Sequence, residues 1–225
     1  MKHPSSTGTH IVSITVAIFL LGCYGLTTWP GFTAPNESML SMAAFLPQAM
    51  ARGEWWRLLS YSVIHANGLH LFSNLFGIVV LGQLVEPALG TARTIVLFLL
   101  SVVMGGFFVY FLSNQSVIGA SAIDYGLMGA YMMLVLAEHP LVTPATPEIQ
   151  ETAPEPETGS KSPHRKNHSK NTSLRGVVAY LICFIVMGVW YQESYGISFW
   201  GHLGGLIAGI SVVTFWPPAI HTPNV

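Results

Sequence analysis

Residues 94–112 read TIVLFLLSVVMGGFFVYFL and contain no charged residue. A helix that crosses the hydrocarbon core of a bilayer takes about 20 mostly apolar residues, so this stretch is long enough to span a membrane. The whole chain has the same character, since 51% of its 225 residues are hydrophobic and 8% are charged. An ordinary soluble domain has about 25% charged residues. The composition therefore predicts an all-α integral membrane protein that is embedded in the lipid bilayer.

Five further apolar stretches lie on either side of residues 94–112. Together they predict a six-transmembrane-helix bundle that forms a single multi-pass domain over residues 1–225. The predicted spans are approximately residues 11–29, 68–85, 94–112, 119–138, 176–192 and 197–216. The first span has no A-x-A-like cleavage site, so we interpret it as an anchor that stays in the protein and not as a signal peptide.

The positions of Lys and Arg predict the orientation of the bundle. Arg52 and Arg57 lie on one side of the predicted spans, and seven of the nine basic residues lie on the side that both termini share. Cytoplasmic loops carry the excess of Lys and Arg, so both termini are expected in the cytoplasm. The aromatic outer loop, residues 30–64, is expected to lie partly in the membrane interface. The Pro-rich residues 143–174 predict a disordered cytoplasmic linker.

Polar residues inside the predicted spans are candidates for function, because such groups are costly in a membrane. They are His70, Asn74, Ser121, Asp124 and His202, with His65 just before the second span. The second, fourth and sixth spans run in the same direction, and all of these residues except Asp124 and His65 occupy the first turns of their spans. This agreement in depth predicts one site in the outer part of the membrane.

The surroundings of Ser121 and His202 favour nucleophilic catalysis. Ser121 begins a predicted helix, where backbone N–H groups have no partner and the helix dipole favours the negative charge of an oxyanion. Small residues form one stripe on the fourth span and another on the sixth, which permits close helix contact. The stripes are Ala122, Gly126 and Ala130, and Gly201, Gly205 and Gly209. If they face each other, Ser121 and His202 come within hydrogen-bond reach as nucleophile and base.

Structural alternatives stay open for several of these residues. A membrane serine often bonds only its own backbone, and small-residue stripes more often serve packing than function. His65 can act as a hydrogen-bonding residue that shapes the outer loop. Asp124, the sole aspartate, is either a third triad member or a polar packing partner, and we favour the second because it shares a helix with Ser121. Cys23 and Cys183 lie in apolar runs and are interpreted as buried hydrophobic residues.

The order and spacing of these motifs resemble those of a bacterial rhomboid intramembrane protease of the minimal six-helix type. The similarity covers about residues 45–138 and 175–215. The matching motifs are Trp56-Arg57, His65-Ala66 with His70 and Asn74, Glu86 at the end of the second span, Gly119-Ala120-Ser121-Ala122 with Tyr125, and Gly201-His202 with Gly205 and Gly209. One departure is Ala122, because many relatives have Gly after the nucleophile. We still expect activity, with a narrower approach to the serine.

The resemblance implies a Ser–His dyad in which Ser121 attacks and His202 takes its proton. It implies an oxyanion site made by His70, Asn74 and the Ser121 N–H group. Tyr125 would stack near His202, and Arg57 and Glu86 would brace the outer loop. The implied substrates are single-span membrane proteins whose helix unwinds near the cut, in a bacterial inner (plasma) membrane. No metal or cofactor is implied, and the net charge of −1 suggests no nucleic-acid partner.

Two other functions remain open. One is an inactive rhomboid-like protein that binds membrane clients, although such relatives usually lose the serine or the histidine. The other is a transporter or metal permease that uses His65, His70, Asp124 and His202. It would leave the serine motif idle, and the spans show no evident inverted repeat.

Overall fold

The computed structural model describes residues 10–138 and 198–218, and this part of the chain is helical with no β-strand. Three of its helices, Ile11–Thr28, Gly68–Leu89 and Thr91–Leu112, are long and apolar enough to cross a membrane, and two shorter apolar helices begin at Ser121 and Phe199. The helices are α1 (Ile11–Thr28), α2 (Glu37–Ala43), α3 (Pro47–Ala51), α4 (Arg57–Ser60), α5 (Gly68–Leu89), α6 (Thr91–Leu112), α7 (Ser121–Glu138) and α8 (Phe199–Phe215).

Five of the six predicted spans coincide with a helix to within a few residues. The count of six spans stays a prediction, because the span at 176–192 and the linker at 143–174 lie outside the described residues. The second span continues through Pro87 to Leu89, and it ends where Gly90 adopts a φ of +76°. The fourth begins at Ser121 and not at Gly119, because Gly119 has a φ of +114°, which no helical residue adopts.

Glu86, which is 1% exposed, joins the end of α5 to the beginning of α1. Its Oε1 accepts the Val12 N–H at 2.8 Å, and its Oε2 accepts the N–H and the hydroxyl of Ser13 at 3.0 and 2.8 Å. The first N–H groups of a helix have no partner within it and attract negative charge, so Glu86 caps α1. The expectation that Glu86 braces the outer loop is therefore wrong, since that loop precedes the opposite end of α5.

The outer loop between α1 and α5 is folded into α2, α3, α4 and a 3₁₀ turn at Tyr61–Val63. Arg57, which is 4% exposed, ties its parts together. The guanidinium donates to the carbonyl oxygens of Ser41 and Ala44, both at 2.6 Å, and pairs with Glu54 at 2.6 Å. The carbonyl groups at the end of a helix lack hydrogen-bond partners within it. Arg57, which lies on α4, supplies such partners at the end of α2.

Close contact between α7 and α8 forms the centre of the bundle, and α8 also packs against α6. The two small-residue stripes face each other. A methyl group at Gly205 would overlap the carbonyl oxygen of Ala122, and one at Gly209 would overlap that of Gly126. Only glycine lets the two backbones approach this closely, and the approach sets the distance between the residues at the N-terminal ends of both helices.

Candidate active site

Ser121 and His202 meet at the beginnings of the two central helices. Ser121 is the first residue of α7, and His202 lies in the first turn of α8, whose start is capped by the Ser198 hydroxyl through the Gly201 N–H at 3.3 Å. The Oγ atom of Ser121 is 2.9 Å from Nε2 of His202. Ser121 is half-buried, whereas His202 is only 8% exposed. A hydroxyl in this contact can pass its proton to a neutral imidazole.

The ring of Tyr125 lies flat on the imidazole of His202. The two ring centroids are 4.0 Å apart, and the planes differ by 15°. Tyr125 follows Ser121 by four residues, so both lie on the face of α7 that is directed at α8. Stacking of this kind restricts rotation of the imidazole and keeps Nε2 directed at Ser121.

The turn before Ser121 has a conformation that requires glycine. Gly119 has a φ of +114°, which strains any residue with a Cβ atom. A Cβ there would also lie 2.7 Å from Cε1 and Nε2 of His70, so the His70 ring rests against the backbone that leads to the serine. The Gly119 N–H donates to the carbonyl of Tyr61 at 2.9 Å. These contacts place His70 beside the N-terminus of α7.

Asn74 lies one turn further along α5 than His70, on the same face. Its Nδ2 donates to the carbonyl oxygen of His70 at 2.7 Å, and the side chain is 3% exposed. Its Oδ1 receives no hydrogen bond from any residue in the described ranges. The amide has a second N–H besides the one that bonds the carbonyl of His70.

His65 supports the same turn from the other side. Its Nε2 accepts a long hydrogen bond of 3.4 Å from the Ala120 N–H, and its ring meets that of His70 edge to face at 5.3 Å. Burial, reinforced by the neighbouring His70, lowers the pKa of His65 to about 3. The ring is therefore neutral at pH 7, as an acceptor must be. His65, which lies just before α5, thus contacts the serine turn.

Three residues outside the sequence motifs, Phe45, Tyr61 and Val117, hold this turn in place. Phe45 and Val117 form an antiparallel bridge, with N–H···O distances of 2.9 and 3.1 Å, which joins the outer loop to the segment before Ser121. The Tyr61 hydroxyl donates to the carbonyl of Val102 on α6 at 2.9 Å. Burial raises the pKa of Tyr61, so this hydroxyl keeps its proton. A single bridge pair carries no periodic sequence signal that would have predicted it.

Ala122, which follows the serine, is buried against Gly105 of α6. It is 2% exposed, and its Cβ would lie 3.0 Å from a Cβ built on Gly105 of α6. The methyl group that replaces the more common glycine hydrogen is therefore accommodated by the missing side chain of Gly105. The narrowing of the approach to Ser121 that we expected from Ala122 stays a prediction.

Asp124 lies within the bundle and is not joined to the histidine. It is 1% exposed, and neither carboxyl oxygen has a hydrogen-bond partner in residues 10–138 and 198–218. Its carboxyl group rests on α5, where a Cβ at Gly77 would overlap Oδ1. A triad aspartate must bond the imidazole of the base, so this position contradicts the triad alternative and agrees with a packing role between α5 and α7.

Comparisons with known proteins identify related sequences. The Rhomboid domain family model matches residues 52–154 and 158–217. The putative rhomboid protease YdcA of Bacillus subtilis is 29% identical over 139 residues, which cover 60% of this chain and 69% of YdcA. Rhomboid protease GluP of the same organism is 28% identical, over 60% of this chain and 25% of GluP. Rhomboid protease GlpG of Pectobacterium atrosepticum is 25% identical over 210 residues, 92% of this chain and 60% of GlpG. The chain thus spans less than two thirds of the length of GluP and GlpG.

Proposed function

The chain belongs to the rhomboid family, and from this membership we propose that it is an intramembrane serine endopeptidase that uses a Ser121–His202 dyad. The observation that carries the proposal is the 2.9 Å separation between Oγ of Ser121 and Nε2 of His202. A serine hydroxyl is a weak nucleophile at neutral pH until an adjacent base accepts its proton. The dyad supplies both groups within a membrane-embedded bundle.

In the proposed reaction, Oγ of Ser121 attacks the carbonyl carbon of the scissile peptide while Nε2 of His202 takes the hydroxyl proton. Collapse of the tetrahedral intermediate breaks the C–N bond, and the imidazolium gives its proton to the leaving amine. Water then attacks the acyl-enzyme with Nε2 as base, which releases the acid and restores the hydroxyl. The stacked Tyr125 ring keeps the imidazole oriented through both steps.

The oxyanion of each tetrahedral intermediate would be held at the N-terminus of α7. The Ser121 N–H is the first of the helix and has no acceptor within it. The second N–H of Asn74 and the ring of His70, which lies against Gly119, would complete the site. Donors that are fixed before the reaction stabilise the developing negative charge without having to reorganise, and this stabilisation supplies much of the rate enhancement in many enzymes.

The membrane setting limits what reaches this site. We propose a six-helix bundle with both termini in the cytoplasm of a bacterial cell, embedded in the inner membrane, with residues 143–174 as a cytoplasmic linker. The substrates would be single-span membrane proteins whose helix unwinds near the cut. The unwinding is needed because a regular helix does not present its backbone carbonyl groups to Ser121. Arg57 supports this site at a distance by holding the outer loop that contacts the serine turn through Phe45.

The experiment that tests the proposal combines labelling with cleavage. The purified full chain is treated with a serine-reactive fluorophosphonate and, separately, with a fluorogenic single-span reporter substrate. We expect labelling and cleavage in the wild type, neither in Ser121→Ala, and both in Ser38→Ala, whose serine is exposed on α2. A folded wild type that neither labels nor cleaves would instead favour a client-binding protein or a transporter.

A further inference from the structure

Asp124 is a buried carboxyl group that the proposed dyad leaves unused. Its two oxygens and the Oδ1 of Asn74 are all hydrogen-bond acceptors that meet no donor within the described ranges. A carboxylate that is buried without a partner is very costly, and an unpaired amide oxygen adds to that cost. One proton on the carboxyl group would remove both problems, because it converts an acceptor into a donor.

The packing of α5 on α7 brings these two side chains within about one helical turn of each other, because Asp124 contacts Gly77 and Asn74 precedes Gly77 by three residues. His70 of α5 contacts Gly119, and Gly77 of α5 contacts Asp124, so the two helices run side by side in the same direction. From His70 to Gly77 the helix advances about 10 Å. Asn74 lies between them and on their face, so it is directed at the segment of α7 between the serine turn and Asp124.

We infer that Asp124 is a positioning residue, whose protonated carboxyl group donates a hydrogen bond to Oδ1 of Asn74. This inference rests on the proposed function. The bond fixes which end of the Asn74 amide is oxygen and which is nitrogen. With Oδ1 bound to Asp124 and one N–H bound to the His70 carbonyl, the remaining N–H of Asn74 is held toward the oxyanion at Ser121. Asp124 touches neither the substrate nor the reacting atoms, and it acts through Asn74.

The chain offers two matched substitutions at this position. In Asp124→Asn, the amide can donate the same hydrogen bond with the same shape. In Asp124→Leu, the side chain keeps the branched shape of aspartate over Gly77, but it is bulkier and has no donor. Loss of one oxyanion donor lowers turnover about 100-fold to 1000-fold. In Asp124→Leu the donor on Asn74 remains but is less firmly held, so we expect a smaller fall in kcat, about 5-fold to 50-fold. We expect KM to stay within about twofold, because the bond acts on the transition state.

A double-mutant cycle on the full chain separates positioning from packing. If Asp124 acts through Asn74, Asp124→Leu lowers kcat in the wild type but has no further effect in Asn74→Ala. Asp124→Asn should restore kcat to within about threefold of the wild type, since its amide N–H supplies a bond of similar strength. The inference is overturned if the leucine variant loses as much in the Asn74→Ala background, or if asparagine is no better than leucine.

A spectroscopic measurement tests the proton without relying on activity. The infrared difference between wild type and Asp124→Asn at neutral pH should contain the carbonyl band of a carboxylic acid, and Asn74→Ala should shift that band. A carboxylate band in its place, or an acid band whose frequency is unchanged in Asn74→Ala, overturns the inference. This result is readable even if the wild type fails to label at Ser121, so failure of the proposed function and failure of the inference are distinct outcomes.

Discussion

Nε2 of His202 lies 2.9 Å from Oγ of Ser121, although 81 positions separate the two residues in the chain. The distance is set by helix backbones and not by a local motif. Gly205 lies against Ala122 one turn below the pair, and no side chain larger than hydrogen fits there. The chemistry at the N-terminal ends of α7 and α8 therefore depends on packing along the two helices. The chemistry and the packing can be tested separately.

Substitution of either dyad residue should abolish proteolysis while the bundle remains folded. In Ser121→Ala the nucleophile is missing, and in His202→Ala nothing accepts its proton. Residues that act as a unit each account for nearly the whole effect, so we expect turnover to fall by a factor of about 10⁶ in either variant, and little further in the double variant. The measurement is cleavage of a single-span reporter by purified protein in detergent. Measurable turnover by Ser121→Ala would overturn the mechanism.

Gly209→Ala should destabilise the bundle by pressing α7 away from α8. The added methyl group would meet backbone atoms of Gly126 and Ala130, which cannot move like a flexible side chain. Overpacking of this kind typically costs about 1–3 kcal/mol. The measurement is the midpoint of unfolding in a denaturing detergent, followed by circular dichroism.

The matched control for Gly209 is Gly25→Ala on α1. A Cβ at Gly25 meets nothing within 4 Å, so this variant should unfold at or slightly above the wild-type midpoint. Equal loss in both variants would mean that the close approach of α7 and α8 does not limit stability.

The sequence predicted five of the described helices well, because the hydropathy of a span is read from consecutive residues and does not depend on packing. It also predicted that Ser121 and His202 come together, since depth in the membrane and facing small-residue stripes are both readable from spacing. It did not predict the partner of Glu86, because nothing in the chain near Glu86 shows that α1 begins beside it. The bridge between Phe45 and Val117 was missed for the same reason, as one pair of residues forms no pattern.

Asp124 illustrates the limit of reading polar residues from sequence. Its spacing from Ser121 allowed both a triad role and a packing role. Only the position of its carboxyl group over Gly77, away from the His202 ring, decides between them. That position depends on how α5 lies on α7, and helix spacing within α7 carries no information about it.

Arg57→Ala should weaken both stability and turnover, because the guanidinium holds the outer loop that reaches the serine turn. Its bond to the buried carbonyl of Ala44 would be left unmade, which costs about 1–3 kcal/mol, and the partly buried bond to the carbonyl of Ser41 would be lost as well. We expect a lower unfolding midpoint and a lower kcat. Arg57→Lys should restore little of either, since an ammonium group cannot reproduce the planar set of N–H donors of a guanidinium.

Arg52→Ala is the control for Arg57, because both arginines pair with Glu54. The side chain of Arg52 is 66% exposed, and among residues 10–138 and 198–218 that ion pair is the only one it makes. An exposed pair contributes about 0–1 kcal/mol. Arg52→Ala should therefore resemble the wild type in both measurements. If the two variants behaved alike, the backbone bonds of Arg57 would have no role in holding the loop.

Asn74→Ala should slow cleavage strongly without abolishing it. The proposed oxyanion site would lose one donor and keep the Ser121 N–H, so we expect kcat to fall by about 100-fold to 1000-fold with KM nearly unchanged. The substitution also removes the bond from Nδ2 to the carbonyl of His70, which could perturb α5 by itself. Ser73→Ala controls for this, because the Ser73 hydroxyl donates to the same carbonyl at 2.9 Å from an exposed position. Steady-state kinetics on both variants should show a large loss for Asn74→Ala alone. Equal losses would assign the effect to the His70 carbonyl and remove Asn74 from the oxyanion site.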